Sequence, residues 1–252
     1  MEWREHEGVR WLEADLPGAT AAFTCRLGGV SGPPYESLDL GLFTGDDPDA
    51  VRENRGRAAA ALRRDPAGVL LGYQVHAETV LVRDRPPNPN PYLARAEPPP
   101  PSDGQATANA ALTPMVQVAD CLPVAFAGSS GVAMLHCGWR GLAGGIVAKG
   151  VAAIDATAAA IGPGIGPCCY EVGEEVLARF EHLGEGVAAG RMLDLAEVAR
   201  RLLADAGIGE VEASGLCTSC EEELFFSHRR DGDPSGRQAG LVWMEDEGAR
   251  GG

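Results

Sequence analysis

Two apolar segments near the middle of the chain constrain its fold more than any other feature. They are MVQVADCLPVAFAG, which begins at Met115, and GVAMLHCGW, which begins at Gly131. Apolar runs of this length, separated by a short turn, are typical of neighbouring strands that are buried on both faces. The next segment, RGLAGGIVAKGVAAI, has the composition of a helix despite its glycines. The middle of the chain is therefore predicted to form two adjacent buried strands and then a helix.

The flanking segments predict helices and strands in irregular order. Asp47 is a suitable N-cap and Pro48 suits the first turn of a helix over AVRENRGRAAAALRR. Asp194 and Glu197 form a capping-box pattern for a later helix that ends at Gly207. The patterns predict strands around AAFTCRLGGVS, ATAAAIGPGIGP, GEVEASGLCT and QAGLVWMED, a strand or hairpin over VLLGYQVHAETVLVRD, and a turn into a short helix over CCYEVGEEVLARFE. This mixture indicates an α+β fold rather than a doubly wound sheet.

A proline-rich segment from 85 to about 107, RPPNPNPYLARAEPPPPSDGQAT, interrupts this pattern. Proline removes backbone donors and disfavours both helix and central strand, so we expect an exposed loop or a hinge. Asp103 and Gly104 at its end are left open to a different role. The chain has 252 residues, of which 45% are hydrophobic, and this suffices for one full core. We expect a single domain over 1–252.

The charge balance restricts the partners. The formal net charge of −15 would repel a polyanion, so nucleic acid is not expected, and a phosphate-bearing ligand must be small and met by local arginines. No apolar run approaches the ~20 residues that span a bilayer, and the N-terminus is acidic rather than a basic leader. Seven cysteines form an odd set of free thiols or metal ligands, which indicates a reducing compartment. We therefore expect a cytoplasmic protein that does not bind membranes.

Common nucleotide motifs are absent. Lys149 is the only lysine and has no GxxxxGK[ST] pattern around it, which excludes a P-loop. GPGIGP has Pro167 where a dinucleotide fingerprint requires its last glycine. We interpret this segment as a tight turn of fixed shape.

Two of the five histidines lie in apolar segments. His76 lies in GYQVHAETV and His136 in VAMLHCGW, where an imidazole must be hydrogen-bonded or bound to a metal. Cys121 follows Asp120 in VADCLPVAF, at the point where a strand is expected to end. Two histidines and one cysteine form a set that zinc accepts as three protein ligands, with a fourth position open. The alternative is two hydrogen-bonded core histidines and a cysteine that only packs.

The remaining cysteines have weaker signals. Cys217 and Cys220 form a C-x-x-C pair, which could serve a metal or a redox reaction. A structural zinc needs two more ligands, and the adjacent Cys168 and Cys169 have poor geometry for that purpose. Packing is therefore the preferred role for most of them, and neutral packing is also expected for Cys25 and Cys137.

Two arginines are candidates for binding an anion. Arg26 precedes Gly28 and Gly29, whose backbone amides suit a small anion. Arg140 follows Trp139, and this pair suits a phosphate, a carboxylate or a flat ring. The alternative for both arginines is an ion pair with one of the many acidic residues.

The motifs taken together resemble a known family. TCRLGGVSGPPYESLDLG, GDDPDAVRENR, QVHAETV, VADCLPVAF, HCGWRGLAGGI, IGPGIGPCCYEVGEEV, LCT and FFSHRRDGDPSGR occur in this order. They resemble the laccase-domain or YfiH-like family, also called polyphenol oxidoreductases and purine nucleoside phosphorylases. The resemblance implies a four-layer α/β/β/α fold with two mixed sheets and duplicated halves, and zinc ligands at His76, Cys121 and His136. The chain departs from the family pattern at Cys137, often alanine, at Cys25, often threonine, and in its longer proline-rich loop.

The resemblance also implies an activity. Similar proteins are described as catalysing phosphorolysis of adenosine, inosine or methylthioadenosine and deamination of adenosine, and bacterial relatives are linked to editing of peptidoglycan precursors. We expect zinc, with copper as an alternative ion, although five histidines are too few for a multi-copper cluster. The alternatives are an editing hydrolase with Cys121 as nucleophile, a polyphenol oxidoreductase, and a non-enzymatic zinc module whose loop meets a partner. We expect a monomer or small homo-oligomer that binds a nucleoside and phosphate.

Roles follow for the remaining candidate residues. Arg26 and the nearby glycine amides would hold the phosphate, and Arg140 would complete the pocket. Asp120 would orient a ligand or move a proton beside the metal, and His228 would lie at the rim. The predicted catalytic residues are Cys121, Asp120, Arg26 and Arg140, and the predicted substrate-binding residues are Arg26, Gly28, Gly29, Gln74, Trp139 and His228.

Overall fold

Two six-stranded sheets form the framework of the computed structural model, which describes residues 1–41, 43–93 and 98–245. In chain order the strands are β1 (Glu2–His6), β2 (Val9–Leu16), β3 (Ala19–Thr24), β4 (Val69–Leu70), β5 (Val80–Val82), β6 (Gly104–Thr107), β7 (Thr113–Val118), β8 (Leu122–Gly128), β9 (Gly131–Cys137), β10 (Ala156–Ile161), β11 (Ala188–Ala189), β12 (Met192–Leu193), β13 (Glu210–Ala213) and β14 (Gln238–Met244).

Both large sheets are mixed. The first has the order β1-β2-β3-β14-β7-β4 and the second β13-β10-β8-β9-β6-β5, while β11 and β12 form a separate pair. Neighbours are antiparallel except β4 with β7, β10 with β13, and β5 with β6. The described chain passes between the two large sheets before β5, β7, β8 and β14. Because the chain alternates between the sheets, neither sheet corresponds to one half of the sequence. The duplication of halves stays a prediction.

The structure describes six helices: α1 (Pro48–Ala61), α2 (Trp139–Gly144), α3 (Ile146–Ile154), α4 (Glu174–Leu177), α5 (Leu195–Asp205) and α6 (His228–Asp231), with short 3-10 turns at Pro66–Gly68 and Glu181–Leu183. Of these, α1 to α5 pack on the outer faces of the sheets. None of the helices described is long and apolar enough to cross a bilayer.

Three clusters of buried apolar side chains separate four layers of helices and sheets. Phe23 and Val116 of the first sheet pack against Met134 of the second, between the two sheets. The other face of the second sheet packs on helices α2 to α5, and the other face of the first packs on α1. The α+β fold with two mixed sheets and the α/β/β/α layering are therefore confirmed.

Several local predictions are confirmed. Asp47 caps α1 by accepting a hydrogen bond from the Asp49 amide, and Pro48 is its first residue. Asp194 caps α5 by accepting from the Glu197 amide at 2.9 Å. The strands β9, β10, β13 and β14 lie in predicted segments, as does the short helix α4. The helices α1 and α5 have side-chain caps, and β9 and β10 are continuous apolar runs, so their signals are local.

The apolar segment that begins at Met115 is not one strand. It divides into β7 of the first sheet and β8 of the second, and only β8 lies beside β9. The division occurs at Asp120, whose backbone φ of 91° turns the chain between the sheets. Because both parts are buried, hydrophobicity alone gives no sign of the turn. The helix predicted after β9 is likewise divided into α2 and α3 at Gly145, where φ is 90°.

Two further predictions need correction. The segment read as a strand or hairpin around His76 contains β4 and β5, which belong to different sheets, and His76 lies in the loop between them. The proline-rich segment is not exposed throughout, because Tyr92 is buried and β6 at its end lies between β5 and β9. β6 is too short and too polar for its sequence to show a strand pattern. Residues 94–97 of this segment lie outside the described residues.

Candidate active site

Three distant segments bring two histidines and a cysteine together. Cys121 lies directly after the turn between the sheets, and His136 lies near the end of β9, opposite Pro123 of β8. His76 comes from the loop between β4 and β5. The ligand atoms of His76, Cys121 and His136 all lie within 4.8 Å of one another, and the two imidazole centroids are 4.8 Å apart.

Asp103 holds both histidines in place. Its carboxylate oxygen Oδ1 lies 2.7 Å from Nδ1 of His136, in a fully buried position. The same carboxylate accepts hydrogen bonds from the amides of Val75 (3.1 Å), His76 (2.9 Å) and Ala77 (2.8 Å). One side chain therefore orients an imidazole ring and shapes the loop on which the other histidine lies. Asp103 was not among the predicted site residues, and only its place before a glycine at the end of the proline-rich segment gave a signal.

Gly138 leaves space for the cluster. A Cβ atom at this position would lie 2.9 Å from Sγ of Cys121 and 3.2 Å from Cδ2 of His76. Gly141, one turn later, lies against the backbone of Ala77, where a Cβ would be 2.9 Å from the carbonyl oxygen. The glycines of HCGWRG therefore allow the loop that contains His76 to approach the beginning of α2.

The cluster favours a thiolate. Burial raises the pKa of the Cys121 thiol, but the charges and hydrogen bonds of His136 and His76 outweigh burial and lower this pKa to about 6. Burial lowers the pKa of His136, but Cys121 and Asp103 outweigh it and raise the pKa to about 9. A metal ion held by these groups would displace the imidazolium proton and keep the thiolate charge. Cys137 behaves differently, because burial in the apolar layer raises the pKa of its thiol and the side chain lies apart from the cluster.

The donor set fits zinc. Two imidazole nitrogens and one thiolate are ligands that zinc accepts in a tetrahedral site, and three protein ligands leave a fourth position for water or substrate. A histidine ligand that contacts a carboxylate through its other nitrogen is the usual outer arrangement, and His136 with Asp103 has it. The space beside Gly138 provides room for the sulfur, so the residues present are suited to hold the ion.

The cluster opens into a pocket of about 560 Å³. This volume lies in the range of small-molecule sites. The guanidinium of Arg140 lies 4.4 Å from the ring centroid of Trp139, and that of Arg229 lies 5.0 Å from Tyr170. The pocket walls include the aromatic residues Phe43, Tyr73, Trp139 and Tyr170 and the arginines Arg140, Arg229 and Arg237. Two carboxylates, those of Asp120 and Asp233, also line the cavity, so charges of both signs face it.

Comparison with known proteins gives the family. Residues 20–245 match the family described as Multi-copper polyphenol oxidoreductase laccase. The chain belongs to this laccase family. The match runs from β3 to β14, leaves out β1 and β2 of the first sheet, and includes all three cluster residues.

Relatives and solved structures agree with this assignment. The chain is 37% identical to Purine nucleoside phosphorylase YfiH of Escherichia coli over 90% of this chain and 94% of that protein. It is 39% identical to Purine nucleoside phosphorylase SCO2081 of Streptomyces coelicolor over 90% and 96%. The crystal structure of the hypothetical protein YfiH from Bacillus licheniformis is similar with a TM-score of 0.86, 32% identity and coverage of 96% and 99%. That of YlmD from Geobacillus stearothermophilus has a TM-score of 0.83, 33% identity and coverage of 96% and 98%.

Most of the predicted site residues line the pocket of this laccase-family chain. They are Gln74, His76, Asp120, Cys121, His136, Trp139, Arg140 and His228. His228 lies at the rim, where its Nδ1 is 3.4 Å from Oδ1 of Asp233. Gln74 exchanges two hydrogen bonds of 2.7 Å with the backbone of Gln117, so its amide fixes a wall of the pocket.

Asp120 has a different position from the one expected of a proton carrier. Its carboxylate accepts hydrogen bonds from Oγ1 of Thr218 at 2.7 Å and from the amide of Arg229 at 2.6 Å. Both oxygens are therefore engaged in joining three segments of the pocket wall. This geometry favours a positioning role for Asp120, and the sequence gave no signal for Thr218, Arg229 or Tyr170.

Arg26, Gly28 and Gly29 lie outside the pocket lining, so their predicted role in binding phosphate stays a prediction. Arg26 donates hydrogen bonds to the carbonyl oxygens of Glu36 (2.6 Å) and Glu222 (3.2 Å). Gly28 and Gly29 have no room for a Cβ because the backbone of neighbouring loops lies against them. These residues join loops, so their placement does not support phosphate binding.

The preference for packing at the remaining cysteine motifs also needs correction. Cys168, Cys169, Cys217 and Cys220 form a second group whose sulfur atoms all lie within 4.8 Å of one another. Cys168 and Cys220 are exposed, which is not expected of cysteines that only fill a core. Two segments separated by about fifty residues meet here, and the sequence gave no reason to pair them.

Proposed function

We propose that this protein is a zinc-dependent purine nucleoside phosphorylase that also deaminates adenosine. The observation that supports the proposal most is a three-ligand cluster, His76, Cys121 and His136, at the wall of a pocket that is also lined by aromatic residues and arginines. The names of the relatives as purine nucleoside phosphorylases support the same substrate class. Adenosine, inosine and methylthioadenosine are the proposed substrates.

His76, Cys121 and His136 would hold the zinc ion. When bound, zinc supplies Lewis acidity toward an oxygen nucleophile. Trp139 and Tyr73 line the pocket and would offer aromatic surface to a purine ring, and Arg140 would attract phosphate into the cavity. In phosphorolysis a phosphate oxygen forms a bond to C1′ of the ribose, the bond from C1′ to N9 breaks, and the purine leaves with a proton on the base.

The reaction can be measured directly. Adenosine and inorganic phosphate are incubated with the protein, and adenine, ribose 1-phosphate, inosine and ammonia are quantified. Phosphate-dependent release of adenine and ribose 1-phosphate supports phosphorolysis, and inosine with ammonia supports deamination. Absence of all four products, in protein loaded with zinc, contradicts the proposal.

A second function, a thiol hydrolase, is favoured by one specific observation. Asp103, His136 and Cys121 are linked by hydrogen bonds in the order of a carboxylate, a base and a nucleophile. Such a triad would suit acyl transfer, including the editing of a peptidoglycan precursor. Chelation separates the two functions because it removes a metal and leaves the thiol. Turnover that is lost with a chelator and restored by zinc supports the metal enzyme, whereas turnover that survives chelation supports the triad.

Laccase chemistry of the multi-copper type receives less support from the donors. Of the histidines outside the cluster, His6 and His182 are exposed and do not line the pocket. Neither donor group found in the described part of the chain has the histidine-rich composition that several copper ions require.

A further inference from the structure

The four cysteines Cys168, Cys169, Cys217 and Cys220, called here the four-cysteine site, come from two loops. Cys168 and Cys169 lie in the turn that follows β10, and Cys217 and Cys220 lie in the turn that follows β13. A bridge between Gly164 and Cys217 aligns the two loops in parallel. Sγ of Cys220 lies 3.4 Å from Sγ of Cys168 and 3.5 Å from Sγ of Cys169.

These separations fit one metal ion. A tetrahedral zinc ion with Zn–S bonds of about 2.3 Å places its sulfurs about 3.8 Å apart. All four sulfurs here lie within 4.8 Å of one another. A cluster of several irons would require a wider spread of ligands. All four residues are free cysteines in the structure.

The backbone around Cys217 is arranged as it is around a metal-bound thiolate. The amide of Gly166 donates to Sγ of Cys217 at 3.2 Å, and the amides of Ser219 and Cys220 also face this sulfur. The carbonyl of Cys217 accepts from the amides of Cys220 (3.2 Å) and Glu221 (3.0 Å), which closes the C-x-x-C segment into a tight turn. Amides that point at a sulfur stabilise its negative charge, so this turn favours the thiolate form that binds a metal cation.

Gly166 also leaves space for these sulfurs. A Cβ atom there would lie 3.2 Å from Cβ of Cys217 and 3.4 Å from Sγ of Cys168. Two arginine side chains stabilise the same loops, because Arg230 donates to the carbonyl of Thr218 at 2.9 Å and Arg229 donates to that of Cys169 at 3.4 Å.

We propose that Cys168, Cys169, Cys217 and Cys220 bind one structural zinc ion. Four sulfurs close the coordination shell, so this ion has no position for substrate. Its effect is to tie together two loops that form the pocket wall. One loop continues into Tyr170, and the other contains Thr218, which donates to Asp120. The ion thereby stabilises the wall without contacting the reactants.

The test is metal analysis of full-length protein purified under reducing conditions without added metal. The wild type, Cys121→Ser, the double variant Cys217→Ser with Cys220→Ser, and the control Ser219→Ala are compared by mass spectrometry of bound metals. Ser219 lies in the same turn but supplies no sulfur, so its variant should match the wild type. Cys121→Ser keeps all four sulfurs of the four-cysteine site, so we expect it to retain one equivalent of zinc there. We expect the double variant to lose the zinc of the four-cysteine site.

Cobalt substitution of Cys121→Ser gives a second readout that does not depend on the double variant folding. Intense sulfur-to-cobalt charge-transfer absorption from four thiolates is the expected result. Cys121→Ser protein without bound zinc, or with iron in its place, overturns the proposal, as does a mass that is lower by two hydrogens per disulfide in the absence of metal. Zinc retained by Cys121→Ser together with an inactive wild type would leave this site standing and contradict only the nucleoside activity.

Discussion

The two donor clusters differ in three respects. The pocket cluster of His76, Cys121 and His136 has three ligands of mixed type and faces a cavity, whereas the four-cysteine site has four ligands of one type near the surface. The pocket cluster is supported by a buried carboxylate and the four-cysteine site by backbone amides. An incomplete ligand set beside a cavity suits catalysis, and a complete set between two loops suits structure. We therefore expect a catalytic role for the pocket cluster and a structural role for the four-cysteine site.

The largest expected effect comes from Cys121→Ser. Serine replaces the thiolate by a neutral hydroxyl, so the pocket ion loses a ligand and we expect phosphorolysis to fall by more than the ~100-fold typical of an outer partner. Activity is measured as kcat/KM for adenosine at saturating phosphate. The matched control is Cys220→Ser, which removes one sulfur from the other site and should leave the pocket metal bound. Full activity in Cys121→Ser would show that the pocket cluster is not catalytic.

Asp103→Asn should have the next largest effect. The amide keeps the size of the carboxylate but loses the charge that orients His136, so we expect metal affinity at the pocket to fall about 10–100-fold. Competition with a chromophoric chelator measures this affinity. Glu78→Gln is the control, because it removes an exposed carboxylate that pairs with Lys149 and lies outside the cluster. Equal affinities for the two variants would contradict the proposed role of Asp103.

Two glycine variants compare the space at each site. In Gly138→Ala the new Cβ would lie 2.9 Å from Sγ of Cys121, and in Gly166→Ala the closest atom would be 3.2 Å away. Overpacking of this kind costs ~1–3 kcal/mol, so we expect Gly138→Ala to weaken the pocket metal about tenfold. Gly166→Ala should weaken only the four-cysteine site, and by less. Metal release during titration with chelator separates the two sites, and identical profiles would remove the distinction between them.

The smallest effects concern charges around the sites. Arg140 lines the pocket, so Arg140→Gln should raise the KM for phosphate about tenfold, the loss expected for one charge-assisted hydrogen bond. Arg26 donates to backbone carbonyls outside the pocket lining, so Arg26→Gln should change this KM by less than about twofold. Steady-state kinetics with varied phosphate measures both. A large effect in Arg26→Gln alone would favour the original prediction from the sequence.

The sequence predicted those features whose signal is local. Asp47 and Asp194 cap their helices with their own side chains, so a few neighbouring residues suffice to place the helix starts. The apolar strands β8 and β9 are adjacent because a short turn at Ser129 and Ser130 joins them. The three cluster residues were candidates because an imidazole in an apolar segment requires a partner.

Features that depend on distant contacts were missed. Asp103 lies in a segment dominated by proline, and its importance arises only when it meets His136 and the amides of the His76 loop. Arg26 resembles an anion ligand in sequence, yet carbonyl groups of two other loops occupy its guanidinium. The four cysteines meet because β10 and β13 are parallel neighbours, a pairing that no short motif encodes. In each case the deciding partner is far away in the chain.

X-ray anomalous scattering at the zinc absorption edge would test the central claim most directly, on crystals of protein purified without added metal. We expect a peak within about 2.0–2.3 Å of a nitrogen of His76, a nitrogen of His136 and Sγ of Cys121, with a fourth position facing the cavity. Density that shows the three side chains in hydrogen-bonded contact with no peak between them, in protein that catalyses phosphorolysis, would contradict a zinc enzyme at this site.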